Sequence, residues 1–134
     1  MAISNGFNHV ATLTTDLDAY AAFYERVFDA TVTFRMEKSA DHPRMFILDL
    51  GGGAALNAFE ASAEEIIGDR RVQGGRGPID HFAISVESRE VLEAVRQRLV
   101  DAGADIGEIQ RLGSEWSLFF RDLDGMELEV CAKA

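Results

Sequence analysis

Cysteine is almost absent from this sequence. Cys131 stands alone among 134 residues, which excludes an internal disulfide and any zinc site built on cysteines. No apolar run is long enough to span a membrane, and the first residues lack the charged-then-apolar pattern of a secretory leader. The expectation is a cytoplasmic protein with no membrane partner. Positive charge is also scarce: 13 Lys and Arg face 23 Asp and Glu, for a formal net charge of −10. Nucleic-acid phosphates want a basic face, so nucleic acid is excluded as a partner. The acidic balance favours solubility and admits a cationic ligand. Only three histidines occur, His9, His42 and His81.

What is present is regular. Phe7 to Thr14 reads as a strand, and Thr15 or Asp16 caps a helix whose apolar residues, Leu17, Tyr20, Ala21, Phe23, Tyr24, Val27 and Phe28, recur at helical spacing. Three strands follow: Thr31 to Glu37, Arg44 to Leu50 after a polar Asp41-His42-Pro43 turn, and Ala54 to Phe59 after Gly51-Gly52-Gly53. Residues Glu60 to Pro78 break the pattern and read as a linker, mobile near its glycines. Then the order recurs. Asp80 to Val86 is a strand, and Ser88 caps a helix carrying Val91, Leu92, Val95, Leu99 and Val100, closed near Gly103. Ile106 to Leu112, Trp116 to Arg121 and Met126 to Cys131 are three more strands, the last two joined at an Asp124-Gly125 hairpin turn. One domain is expected, with a βαβββ module at 5–60, a linker at 61–78 and a second module at 79–132.

The two modules are in register. His9-Val10-Ala11 and His81-Phe82-Ala83 hold the same place in their first strands, 72 residues apart, and the same offset carries Asn57 onto Glu129. Such self-similarity indicates an internal duplication. In the last strand Met126, Leu128 and Val130 face one way while Glu127, Glu129 and Cys131 face the other. A carboxylate on an inner face needs a partner, because burying a bare charge is costly. His9, His81 and Glu129 form a two-His, one-carboxylate set, suited to Fe(II), Mn(II), Zn(II) or Ni(II) with coordination positions left for substrate or water. By the same parity Phe59, Phe119 and Arg121 lie on the ligand side, as pocket lining and as a contact for an anionic substrate or a surface carboxylate. Phe23, Tyr24 and Trp116 are assigned to core packing, and His42 to the surface.

Asn8-His9-Val10, Ala22-Phe23-Tyr24 with Val27-Phe28, Asp80-His81-Phe82-Ala83, and Arg121-Asp122-Leu123-Asp124-Gly125 leading to Glu129 together resemble the vicinal oxygen chelate superfamily. It includes glyoxalase I, bleomycin-resistance proteins, fosfomycin-resistance enzymes and extradiol dioxygenases. Where this chain has Leu123, the family usually has Pro. The resemblance implies an α+β fold, paired βαβββ modules curling into an incomplete barrel around one divalent ion. His9, His81 and Glu129 match the family's metal positions, and Glu129 is the expected catalytic residue. Asn57 stands where glyoxalase I has Glu, which assigns Asn57 to substrate or to a metal-bound water. Phe119 stands ten residues before Glu129, where fosfomycin enzymes and extradiol dioxygenases carry a functional Tyr, and no basic residue of the fosfomycin kind follows Cys131 at the expected place. Bleomycin-binding members are acidic and dimeric, as the charge here suggests, but generally lack the ligands. The expected function is electrophilic catalysis by a metal on a small oxygen-chelating metabolite; the alternative is a non-catalytic, ligand-sequestering protein. Many small members pair two chains and share each metal site, which implies a homodimer.

Overall fold

The computed structural model describes all of residues 1–134, as two compact units, 1–66 and 67–134. The first contains β1 (His9–Thr14), α1 (Leu17–Phe28), β2 (Thr31–Met36), β3 (Met45–Gly51) and β4 (Ala54–Glu60). The second contains β5 (Phe82–Ser85), α2 (Arg89–Asp101), β6 (Asp105–Ile106), β7 (Gln110–Leu112), β8 (Glu115–Arg121) and β9 (Glu127–Lys133). The sheet orders are β1-β4-β3-β2 and β5-β9-β8-β6, with β7 also pairing β8. In each sheet the first strand runs parallel to the last and the remaining pairs are antiparallel. The expected strand over 106–112 is interrupted: β6 and β7 share the edge of β8, and between them Gly107 N–H donates to the Phe119 carbonyl at 3.0 Å.

The duplication is written into the pairing. Ala11 lies opposite Asn57, and Ala83 opposite Glu129; Ile47 lies opposite Asn57, and Phe119 opposite Glu129. Each pair maps onto its counterpart by the same 72-residue offset. Because side chains alternate along a strand, one residue of slip would have put the carboxylate on the wrong face.

Each helix covers one face of its own sheet. Asp16 caps α1 by accepting from Ala19 N–H at 3.0 Å, and Ser88 caps α2 by accepting from Val91 N–H at 3.2 Å. From α1, Leu17, Tyr20, Tyr24 and Val27 are fully buried against a sheet face that carries Leu48, Leu56 and Ala58. From α2, Leu92 and Leu99 are buried with Leu118, Phe120, Leu128 and Val130. Each large apolar side chain so buried contributes roughly 1.5–3 kcal/mol. Val91 and Val100, expected on this face, are 40% and 45% exposed. One other sequence assignment needs correction. Trp116 is only partly covered, with the Arg89 guanidinium 4.0 Å and that of Arg111 5.6 Å from its ring centre, so its indole serves as a cation platform. His42 is also partly covered, its ring centre 6.1 Å from that of Phe59.

The expected mobile linker is a folded loop over much of its length. Val72 N–H donates to the Asp69 carbonyl, Gly75 N–H to the Val72 carbonyl and Asp69 N–H to the Gly75 carbonyl. A Cβ at Gly68 would sit 2.9 Å from the Gly75 carbonyl oxygen, so that backbone approach requires glycine. No helix is long and apolar enough to cross a membrane.

The β8–β9 turn sets the register of Glu129. Gly125 takes φ +78°, and the buried Asp122 carboxylate accepts from Asp124 N–H at 2.9 Å and Met126 N–H at 3.0 Å. Asp122→Ala leaves both donors short of an acceptor and is expected to destabilise the protein by about 1–3 kcal/mol, read as a lower urea midpoint at unchanged slope.

Candidate metal centre

Glu129 sits in the middle of β9, between Phe119 of β8 and Ala83 of β5. Its neighbours Leu128 and Val130 point into the helix-covered core, so Glu129 necessarily points to the opposite face. Ala83 is small and exposed, which leaves space beside the carboxylate. His81 lies one residue before β5, not within it as expected. Its Nε2 is 3.2 Å from Glu129 Oε2, and its ring packs edge-on against Phe119 with centres 5.3 Å apart. Its other nitrogen, Nδ1, is 2.8 Å from Asp80 Oδ2. On the far side of Glu129, Ser117 Oγ donates to Oε1 at 2.5 Å, and Ser117 is 1% exposed.

The electrostatics follow from these contacts. The hydrogen bond to Asp80 raises the His81 pKa; burial opposes this, and Glu129 adds to the rise. Burial pushes Glu129 up, but hydrogen bonds from Ser117, Cys131 and His81 outweigh it and hold the carboxyl below its ordinary value. Burial beside Glu129 pushes the Cys131 thiol up to about 12, so it stays protonated and is a poor ligand. The imidazole is thus held between two carboxylates, an arrangement that favours its protonated form. A divalent ion would take the place of the Nε2 proton, while the Asp80 contact keeps Nδ1 protonated. This arrangement, a carboxylate behind the histidine and a hydrogen-bonded carboxylate beside it, is the one that ligating residues show. The donor chemistry therefore fits a divalent ion.

The second unit supplies two of the three expected ligands, and no cluster of three or more His, Cys, Asp or Glu side chains able to hold a metal is present. His9 belongs to the first unit, exposed on β1 with Nδ1 2.8 Å from Asn8 Oδ1. Asn57 and Phe59 lie on the same face of the first sheet, across from Ala11 and Leu13.

A cavity of about 490 Å³ opens beside His81, lined by Phe119 and Arg121 and by Arg71, Gln73 and Arg76 of the preceding loop. Arg121 is committed only in part. Its Nε is 3.5 Å from Asp105, its Nη2 donates to the Arg71 carbonyl at 3.4 Å, and its Nη1 is buried with no acceptor. Sequence reasoning missed Ser117, Asp80 and Arg76. Ser117 shares the strand parity of Phe119, and Asp80 adjoins His81, so both left a signal; Arg76 left none.

Comparison with known proteins shows the family. The family model of the Glyoxalase/Bleomycin resistance protein/Dioxygenase superfamily matches residues 6–130. The chain belongs to that superfamily. It is 34% identical to a metallothiol transferase FosB of Shouchella clausii, over 94% of this chain and 79% of the relative. It is 31% identical to the Bacillus licheniformis FosB, over 93% and 73%. Among solved structures, a domain of the same superfamily from Frankia sp. EAN1pec superposes with TM-score 0.81 at 28% identity, covering 98% of this chain and 99% of that one. The fosfomycin resistance protein FosX of Listeria monocytogenes, solved as a mutant with Mn(II) and 1S,2S-dihydroxypropylphosphonic acid, shares the fold at TM-score 0.74 and 20% identity, over 98% and 95% of the chains. The FosB relatives come from the branch that Phe119 argued against, and residue 119 lacks the hydroxyl all the same.

The metal-free His81 is expected to titrate above the ordinary 6.5. Its stabilising contribution is then complete below pH 6.5 and is lost as pH rises through the raised value. An NMR titration of the His81 ring checks this, with Asp80→Asn bringing the midpoint back down; a wild-type midpoint at or below 6.5 contradicts it.

Proposed function

We propose that this protein is a divalent-metal-dependent enzyme acting on a small oxygen-chelating metabolite, with one domain built of the two modules. The observation that carries the reading is the pairing of His81 Nε2 with Glu129 Oε2, each residue braced from behind by Asp80 or Ser117. His81, Glu129 and His9 would hold the ion. Bound there, a divalent ion supplies Lewis-acid stabilisation of charge developing on substrate oxygen. Glu129 is assigned as the group that would take or return a proton. Phe119 gives the cavity an apolar wall, and the Arg121 guanidinium on the same lining is assigned to an anionic group of the substrate. Asn57 and Phe59 are assigned as further substrate contacts. Asn57 brings a neutral amide and so adds no charge to the ligand set. Which of Fe, Mn, Zn or Ni serves is a question for metal analysis.

The third ligand is assigned to His9 of a second copy, in a homodimer that shares its metal sites. Unpaired edge strands in both sheets and the exposed face of β1 support this, since a symmetric partner can cover them.

Two experiments test the reading. Protein purified without chelator is expected to hold stoichiometric metal, and His81→Ala or Glu129→Ala to lose it; full metal content in both variants rules the site out, and a wild type that never binds metal favours ligand sequestration. Mixing His9→Ala chains with Glu129→Ala chains is expected to restore one complete site per mixed dimer. If subunit exchange is verified and no binding returns, the sharing is wrong.

A further inference from the structure

Arg76 takes no part in the chemistry above, yet it is the most deeply held cation near it. Its side chain is only 5% exposed, an unusual position for arginine unless it is paired. Nη1 donates to Asp80 Oδ1 at 2.7 Å and to the Asp80 carbonyl at 3.3 Å, and Nε donates to the Arg70 carbonyl at 2.8 Å. Nη2 pairs with the Glu127 carboxylate at the start of β9. One guanidinium thus joins the loop before β5, the residue preceding His81 and the strand that carries Glu129.

The two oxygens of Asp80 are divided between Arg76 and His81. Oδ1 accepts from Arg76, and Oδ2 accepts from His81 Nδ1 at 2.8 Å. The Asp80 side chain is 42% exposed and that of His81 30%, so burial alone does not immobilise either. A carboxylate held at one oxygen by a guanidinium that is itself buried and anchored to Glu127 and the Arg70 carbonyl has little freedom to rotate. The imidazole bound to its other oxygen is then kept with Nδ1 turned away from Glu129 and Nε2 turned toward it. Released from Arg76, Asp80 can turn to water, and His81 loses the contact that selects its orientation and tautomer.

We propose that Arg76 is a positioning residue for metal binding: it fixes Asp80 so that His81 presents Nε2 beside Glu129. The loop ahead of β5 is thereby part of the site's support. This rests on the reading of His81 and Glu129 as ligands. A lysine at 76 would keep the charge, but it lacks the planar fork that reaches Asp80, Glu127 and two carbonyls together.

The test uses the full chain and Mn(II) alone, titrated by electron paramagnetic resonance. Arg76→Met is expected to weaken Mn(II) binding about tenfold or more, the usual cost of removing a group behind a ligand, and Arg76→Lys to recover part of it. In an Asp80→Ala background, Arg76→Met is expected to add nothing, because the effect runs through Asp80. Unchanged affinity in Arg76→Met, or losses that simply add in the double variant, overturns the proposal. Where Arg76→Met does not fold, Arg76→Lys carries the comparison, and wild-type affinity in that variant is the overturning result. A second readout needs no metal: the His81 Nδ1 proton is expected to resonate as a slowly exchanging, hydrogen-bonded signal in the wild type and to be lost in Arg76→Met or weakened in Arg76→Lys. Its persistence at wild-type exchange rate overturns the proposal. A wild type that takes up no Mn(II) yet loses this signal on substitution separates failure of the ligand reading from failure of the positioning.

Discussion

Everything at the centre of the second module depends on the contact between His81 and Glu129. An imidazole and a carboxylate 3.2 Å apart on a sheet face are costly to bring out of water unless each has further partners. Here each does. Asp80 stands behind the histidine, and Ser117 and Cys131 donate to the carboxylate. The surrounding fold keeps this pair in place. The Asp122 turn sets the register of β9, the parallel pairing of β5 with β9 brings His81 alongside, and α2 packs on the opposite face to seal the core.

The duplicated first module shows what the same scaffold does with different side chains. Position 57 carries a neutral amide where the second module has a carboxylate, and His9 is exposed next to Asn8. At these equivalent positions only the second module brings a histidine and a carboxylate into contact. The asymmetry makes chemical sense if the first module supplies one ligand and substrate contacts, and the second supplies the remaining ligands with their support.

Much of this was legible in the sequence because β-structure has a period of two. Once Leu128 and Val130 were assigned to the core, Glu129 had to face away from it, and the 72-residue offset tied Asn57, His9 and His81 to equivalent places. The pairing of Ile47 with Asn57 and of Phe119 with Glu129 follows that offset without a slip. What escaped were interactions with no periodicity behind them. Arg76 sits among glycines in a stretch that reads as a flexible connector, and only the folded loop shows its guanidinium buried. The break between β6 and β7 depends on one Gly107 backbone bond, and the placement of Trp116 on two arginines from α2 and β7. Helical periodicity likewise placed Val91 and Val100 on a face they only flank.

If the metal centre is as proposed, His81 Nε2 and Glu129 Oε2 are jointly the ligands of one divalent ion. Anomalous diffraction from crystals grown with Mn(II), collected across the manganese absorption edge, decides this. The predicted result is a single strong peak within bonding reach of both atoms, with Asp80 still on Nδ1 and Ser117 still on Oε1. An ordered peak that touches neither atom, in crystals whose protein binds one manganese per chain in solution, would contradict it.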